Sequence, residues 1–155
     1  MIHGSLAGRI ALPFLAPYTS SKFALEAFAD ALRRELNPFG IKTVLLETAA
    51  VATPIWTKAR NVDNSFVDKI YMDSLNAFME NFVDSGSRGM AVDKAAEKIV
   101  KIMDMEKPRT RYIISGTPFN SFLQTVLPDR VVDRMVKKFF RMNYGDKTSR
   151  GGNIL

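Results

Sequence analysis

An α/β fold is the class this sequence predicts, and three observations predict it. Residues 19–37 carry apolar side chains at helical spacing, and Asn37-Pro38-Phe39-Gly40 reads as a stop signal. Residues 41–46 then read Ile-Lys-Thr-Val-Leu-Leu, short, β-branched and nearly continuous in apolar character after Lys42. A helix that feeds directly into a strand covered on both faces belongs to a layered α/β arrangement.

In chain order, residues 6–17 mix Gly8, Pro13 and Pro17 with Ile10, Leu12, Phe14 and Leu15. That composition punctuates a helix rather than propagating it, so a loop over a cleft is expected. The helix at 19–37 should run for about five turns, with Phe23, Leu25, Phe28, Leu32 and Leu36 recurring and Glu26, Asp30, Arg33 and Arg34 among the polar positions. Proline disfavours helix in the residue before it, and Gly40 readily takes the left-handed conformation that ends one. After the strand at 41–46, residues 47–54 form a loop at its C-terminal end, where open α/β sheets bind ligands.

Residues 55–64 read as irregular. Residues 66–83 suggest one or two amphipathic helices that act as a cover, broken at 85–89 by Ser-Gly-Ser-Arg-Gly. Residues 92–105 are a helix, with Ala95, Ile99 and Ile102 on one side and Asp93, Lys94, Glu97, Lys98 and Lys101 on the other. A second buried strand at 111–115 ends at Gly116. Residues 119–126 are apolar, and 131–142 carry an apolar stripe opposite Arg130, Arg134, Lys137, Lys138 and Arg141. Residues 143–155, with little apolar content, read as a flexible tail, which leaves 1–142 as the folded unit.

Composition excludes several function classes. With 155 residues, 46% hydrophobic and 25% charged, the chain can bury a core. It has no cysteine and one histidine, His3, so disulfides, thiolate metal sites and a zinc cluster are not expected, and no metal is assigned. A net charge of +6 raises nucleic acid and anionic membranes as partners. Lys and Arg are interspersed with Asp and Glu, however, and no nucleic-acid-reading motif is present, so nucleic acid is not expected. No apolar run reaches about 18 residues, so no membrane span is expected. A cytoplasmic location follows, with peripheral membrane association through the basic apolar segment at 131–142 as an addition.

Chemistry concentrates between Ser5 and Thr53. Tyr18 and Lys22 are four apart and lie on one helix face. An ammonium about 4 Å from a phenolate interacts with it by roughly 4 kcal/mol at an effective dielectric of 20, which favours the ionised phenol, and a helix N-terminus acts in the same sense. A serine hydroxyl both donates and accepts, so Ser5 can hold an alcohol or carbonyl oxygen against Tyr18. The pair alone is a weak signal: four tyrosines and eleven lysines in 155 residues give roughly 0.3 such spacings by chance.

The surrounding string is more specific. Ser5-Leu-Ala-Gly8-Arg9, Pro13-Phe14, Tyr18-Thr-Ser-Ser-Lys22-Phe-Ala-Leu-Glu26-Ala-Phe28, Leu32-Arg-Arg-Glu35-Leu36, Phe39-Gly40 and Ala52-Thr53-Pro54-Ile55-Trp56 together resemble the short-chain dehydrogenase/reductase family. The Ser-to-Tyr interval of thirteen and the Tyr-to-Lys interval of four are those of that family's active site. Lys107-Pro-Arg-Thr-Arg-Tyr112 and Leu127-Pro128-Asp129-Arg130 look like members acting on retinoids, steroids or similar lipophilic alcohols. The resemblance implies the C-terminal part of a doubly wound Rossmann-type parallel sheet with flanking helices. It implies hydride transfer between NAD or NADP and a small-molecule alcohol or carbonyl. Tyr18 would be the acid/base, Lys22 would hold the cofactor ribose and favour the phenolate, and Ser5 would position the substrate oxygen. Thr53 would bond the nicotinamide end, with Ala50, Val51 and Ala52 supplying backbone contacts.

The sequence also departs from the family pattern. The glycine-rich turn that cradles a pyrophosphate, the residue that selects NAD or NADP, an Asn-Asn-Ala-Gly-like stretch and the family's active-site asparagine are not in these 155 residues. The expectation is a partial domain whose N-terminal half is missing, inactive alone. Where the family has Pro-Gly after the strand's Glu, this chain has Thr48-Ala49, so weakened cofactor contact at that loop is expected. The alternative function is a non-catalytic interaction module, in which the helix from Phe23 to Leu36 forms a pairing surface between copies.

Overall fold

The computed structural model describes residues 1–116 and 127–142. Its centre is a three-stranded parallel sheet in the order β1 (Ile2–His3), β2 (Leu45–Thr48) and β3 (Arg111–Ile114). Ile2 stands beside Leu45 and His3 beside Leu46, while Leu45, Leu46, Glu47 and Thr48 pair in step with Arg111, Tyr112, Ile113 and Ile114. Parallel strands bring all their C-terminal ends to one edge, so the segments that follow His3, Thr48 and Ile114 share it. Both expected strands exist, but the first is displaced. Residues 41–43 precede the ladder, with Ile41 53% exposed, and Glu47 and Thr48 lie inside it rather than in the loop. The displacement follows from Glu47, a carboxylate that is buried in the strand because two guanidiniums meet it there.

Helix α1 (Ala16–Leu36) starts three residues before the expected position. Pro17 in its first turn has φ preset for a helix and lacks only an N–H that would have no intrahelical acceptor. The chain leaves it through a 3₁₀ turn, Asn37–Phe39, and Gly40 at φ 73°. Its inward face is only in part the expected apolar one. Thr19, Lys22, Glu26, Ala29, Asp30 and Arg33 are buried or half-buried alongside Leu25, Leu32 and Leu36, whereas Phe23 and Phe28 are 44% and 56% exposed. Charged residues take the inner positions because they are paired there, as described below.

Residues 55–64, expected to be irregular, contain helix α2 (Ile55–Arg60). The cover is one nearly continuous helical run: a 3₁₀ turn at Lys69–Tyr71, α3 (Met72–Phe78), a π-type turn at Met79–Val83 and α4 (Asp84–Ser87). The expected break at 85–89 begins only at Arg88. Gly86 stays helical, and a Cβ on it would fall 2.4 Å from the Trp56 ring, so this glycine is required by packing. Helix α5 (Val92–Met103) agrees with expectation, and α6 (Asp129–Phe139) carries the basic segment. The apolar stretch at 119–126 lies outside the described residues, as does the tail at 143–155.

Two apolar clusters result. One is aliphatic, with Val44 just before β2, Leu46 of β2 and Ile114 of β3 against Ala95 and Ile102 of α5. The other is rich in rings and joins Leu75, Phe78, Val83 and Phe140, with Leu12, Leu15, Trp56, Phe82 and Val136 around them. Among the described residues no helix is long and apolar enough to cross a membrane.

Candidate active site

Ser5 is the second residue after β1 and sits in extended backbone, where it caps the 3₁₀ turn Leu6–Gly8. Its Oγ accepts the Ala7 N–H (3.1 Å) and lies 3.4 Å from the Thr48 carbonyl, to which it donates. A serine in this position ties the end of β1 to the end of β2 and remains a hydroxyl able to turn to a substrate. Gly8 completes the turn. A Cβ there would stand 2.9 Å from the Lys22 carbonyl oxygen and 3.1 Å from Glu26 Cγ, so the lack of a side chain lets the turn press against α1 beside Lys22.

Lys22 and Tyr18 arrive from α1. The Lys22 ammonium donates to the His3 carbonyl (3.4 Å) and lies 5.6 Å from the centroid of the Tyr18 ring, over its face. The charge therefore meets the ring as well as the edge of the sheet, which is cation–π geometry rather than a direct bond to the hydroxyl. His3 Nε2 stands 2.8 Å from Thr48 Oγ1. Ser5, Lys22 and, through Lys22, Tyr18 are thus gathered at the C-terminal ends of β1 and β2. His3 and Thr48 link them, and the sequence reading assigned neither residue a role. Thr48 stands where the family pattern has proline, and its hydroxyl makes a link that proline cannot. Ala49, in the glycine position, gives its N–H to the Ile114 carbonyl (2.9 Å).

The loop after β2 is tied down from within. Met90 N–H donates to the Ala50 carbonyl (3.0 Å), Ala52 N–H donates to the Met90 carbonyl (2.9 Å), and the Trp56 indole donates to the Val51 carbonyl (2.7 Å). Of the backbone groups expected to serve a cofactor, these three are already occupied. The N–H groups of Ala50 and Val51 enter no hydrogen bond among the described residues. Thr53 is half-buried just before α2, and no hydrogen bond joins its side chain to Ser5, Tyr18 or Lys22 among the described residues.

Beneath the site lies a charged cluster that apolar patterning could not reveal. Glu47, 3% exposed, accepts from Arg9 Nη2 (2.7 Å) and Nε (3.2 Å), with Arg111 Nε at 3.5 Å. Arg111 also donates to Glu26 (3.1 Å) and Asp30 (2.8 Å), and Arg33 lies 3.3 Å from Asp30. Burial, then the neighbouring Glu47 carboxylate, pushes the Glu26 carboxyl above its ordinary range against the pull of Arg111 and Arg9. One Glu26 oxygen, Oε1, is buried with no hydrogen-bond partner among the described residues. Burial pushes Asp30 up as well, but hydrogen bonds and charge from Arg111 and Arg33 outweigh it and hold its carboxyl below the usual range. Arg9 follows the Ser5 turn and Glu47 precedes Thr48, so their pair fixes the register between the two chain segments that carry the Ser5–Thr48 contact. The legible signal was a glutamate directly following a Val-Leu-Leu run.

The residues present fit the nicotinamide and ribose end of a dinucleotide. Two free backbone donors, at Ala50 and Val51, stand on the same sheet edge as a lysine ammonium and a half-exposed phenol. Among the described residues no cluster of metal-ligating side chains occurs.

Comparison with known proteins agrees with this arrangement. Residues 2–64 match the family described as short chain dehydrogenase. The chain is 36% identical over 137 residues to the NADPH-dependent 3-dehydrocapnine reductase of Ornithobacterium rhinotracheale, a match that covers 86% of this chain and 48% of that protein. It is 32% identical over 134 residues to the probable short-chain type dehydrogenase/reductase VdlC of Helicobacter pylori, covering 86% and 49%. A short-chain dehydrogenase from Streptomyces avermitilis superposes with a TM-score of 0.60 at 22% identity over 98% of this chain and 52% of that one, which shows a shared fold. The chain spans about half the length of these relatives. On the motif, the sheet-edge geometry and these matches together, the chain belongs to the short-chain dehydrogenase/reductase family.

Proposed function

We propose that this chain carries the proton-transfer part of an NAD(P)-dependent oxidoreductase that interconverts a secondary alcohol and a carbonyl. The observation that supports the reading is the Lys22 bridge from α1 to the His3 carbonyl, with the same ammonium over the Tyr18 ring. In the alcohol direction, the Tyr18 phenolate takes the hydroxyl proton while Ser5 holds the same oxygen by a hydrogen bond. Lys22 reaches the cofactor ribose. The N–H groups of Ala50 and Val51, with the Thr53 hydroxyl, hold the carboxamide. NAD(P), held by these residues, would supply the hydride chemistry at the carbinol carbon in either direction.

A lipophilic substrate, of retinoid or steroid character, is supported by the apolar cover. Trp56 and Phe82 meet edge to face at 5.7 Å, and Phe78 stacks on Phe82 at 5.0 Å. The pyrophosphate-binding turn is not among these 155 residues, so we propose that they do not turn over alone. The test compares residues 1–155 with a chimera in which the glycine-rich half of a relative precedes them. NADPH-dependent reduction across a panel of ketones is expected only from the chimera. Tight, stoichiometric NADPH binding by residues 1–155 alone would refute the division of labour.

A second reading, pairing between copies through α1, is favoured by the exposure of Phe23 and Phe28. Under it, Phe28→Glu would shift a dimer to monomer in sedimentation, whether or not the protein turns over.

A further inference from the structure

Helix α6 consists of three parallel ridges. Val132, Val136 and Phe140, four residues apart, face inward: Phe140 is 1% exposed and Val136 packs on the ring-rich cluster. One step around the helix stand Val131, Met135 and Phe139. Met135 and Phe139 are each 53% exposed although the helix is already anchored through the neighbouring ridge. One step further stand Arg130, Arg134 and Lys138, and the remaining flank carries Asp129, Asp133, Lys137 and Arg141. Arg141 pairs with Glu80 at 3.0 Å, but Arg130, Arg134, Lys137 and Lys138 form no ion pair among the described residues.

We propose that this face docks on an anionic lipid bilayer. An exposed apolar ridge bordered along its length by unpaired cations complements a surface that presents acyl chains beneath negative headgroups. A second copy suits the face poorly, because a twofold contact through Met135 and Phe139 would bring the two cationic rows together. Folding already buries the Val132–Val136–Phe140 ridge, so the lipid-facing groups are preformed and need no unfolding to be presented. The proposal stands apart from the oxidoreductase reading and does not depend on it.

The test is vesicle sedimentation of the 155-residue chain. Vesicles of phosphatidylcholine alone are compared with vesicles containing about 30% phosphatidylserine. Binding to the mixed vesicles is expected to be at least about tenfold tighter and to weaken between about 0.1 and about 0.5 M NaCl. Each cation near such a surface contributes about fivefold, so Arg134→Gln with Lys138→Gln should weaken binding about 25-fold. Met135→Ser with Phe139→Ser should weaken it at least about tenfold, with an unchanged circular dichroism spectrum. Equal binding to both vesicles, no binding at low salt, or wild-type binding by either double variant would overturn the proposal. A dimer that is lost in the Met135/Phe139 variant, without lipid binding, would also overturn it and assign the ridge to a second copy.

Discussion

Around the sheet edge, position is fixed by polar groups. Ser5 is held by the Thr48 carbonyl, Lys22 by the His3 carbonyl, and Glu47 by two arginines. In the cover, position is fixed by shape: Phe14 and Phe140 meet Phe78 at 5.6 and 5.9 Å, and the Trp56 ring fills the space left by Gly86. Directional bonds hold few geometries, which suits atoms that must pass a proton. Apolar packing specifies volume more than direction, which suits a surface that must admit a substrate. The π-type turn in the cover, Met79–Val83, belongs with this difference, since such turns interrupt the regular helical ladder.

Five substitutions test that contrast, and the largest effect is expected at the polar edge. Lys22→Met in the chimera should lower kcat/KM by about 10²–10⁴ and weaken cofactor binding, because one ammonium serves both the phenol and the ribose. Arg9→Ala should cost on the order of 3 kcal/mol in urea unfolding, because Glu47 stays buried with only Arg111 at 3.5 Å to answer it. An effect under about 0.5 kcal/mol would show that the pair is not a support.

Gly86→Ala should cost about 2 kcal/mol and shift the Trp56 emission, since the new methyl meets the ring. Amide exchange should rise in α3 and α4 while β2 keeps its protection; equal loosening of both would erase the division between edge and cover. The smallest effect is expected from Glu26→Gln. The folded-state pKa of Glu26 is raised, so its favourable contribution is complete below its unfolded pKa and is lost as pH rises through the folded value. The variant should therefore compare best with the wild type at neutral pH, and its advantage should shrink as pH falls toward 4.5. Asp30, with a lowered pKa, behaves oppositely: Asp30→Asn should cost stability at neutral pH and progressively less below 3.8.

Legibility in the sequence follows the same contrast. The α/β class, α1, α5 and β3 are readable because spacing and breakers carry them, and the candidates Ser5, Tyr18 and Lys22 because the string around them is specific. The inner face of α1 is legible only in part: apolar periodicity selects Leu25, Leu32 and Leu36, which are half-buried, but also Phe23 and Phe28, which are exposed. The fold turns Lys22, Glu26, Asp30 and Arg33 inward as well, because charge pairing to β2 and β3 is nonlocal and leaves no periodic trace. The late start of β2 has the same origin in Glu47. The helical state of Gly86 depends on a ring thirty residues away, and local propensity cannot encode that.

The central claim is that Tyr18 moves the proton at the sheet edge. It is tested most directly by Tyr18→Phe in the chimera, with single-turnover reduction of a ketone and cofactor binding measured side by side. The account predicts that the hydride-transfer rate falls by at least about 10²-fold while cofactor affinity and the unfolding midpoint stay within about twofold of wild type. A Tyr18→Phe protein that reduces the ketone at the wild-type rate would contradict it.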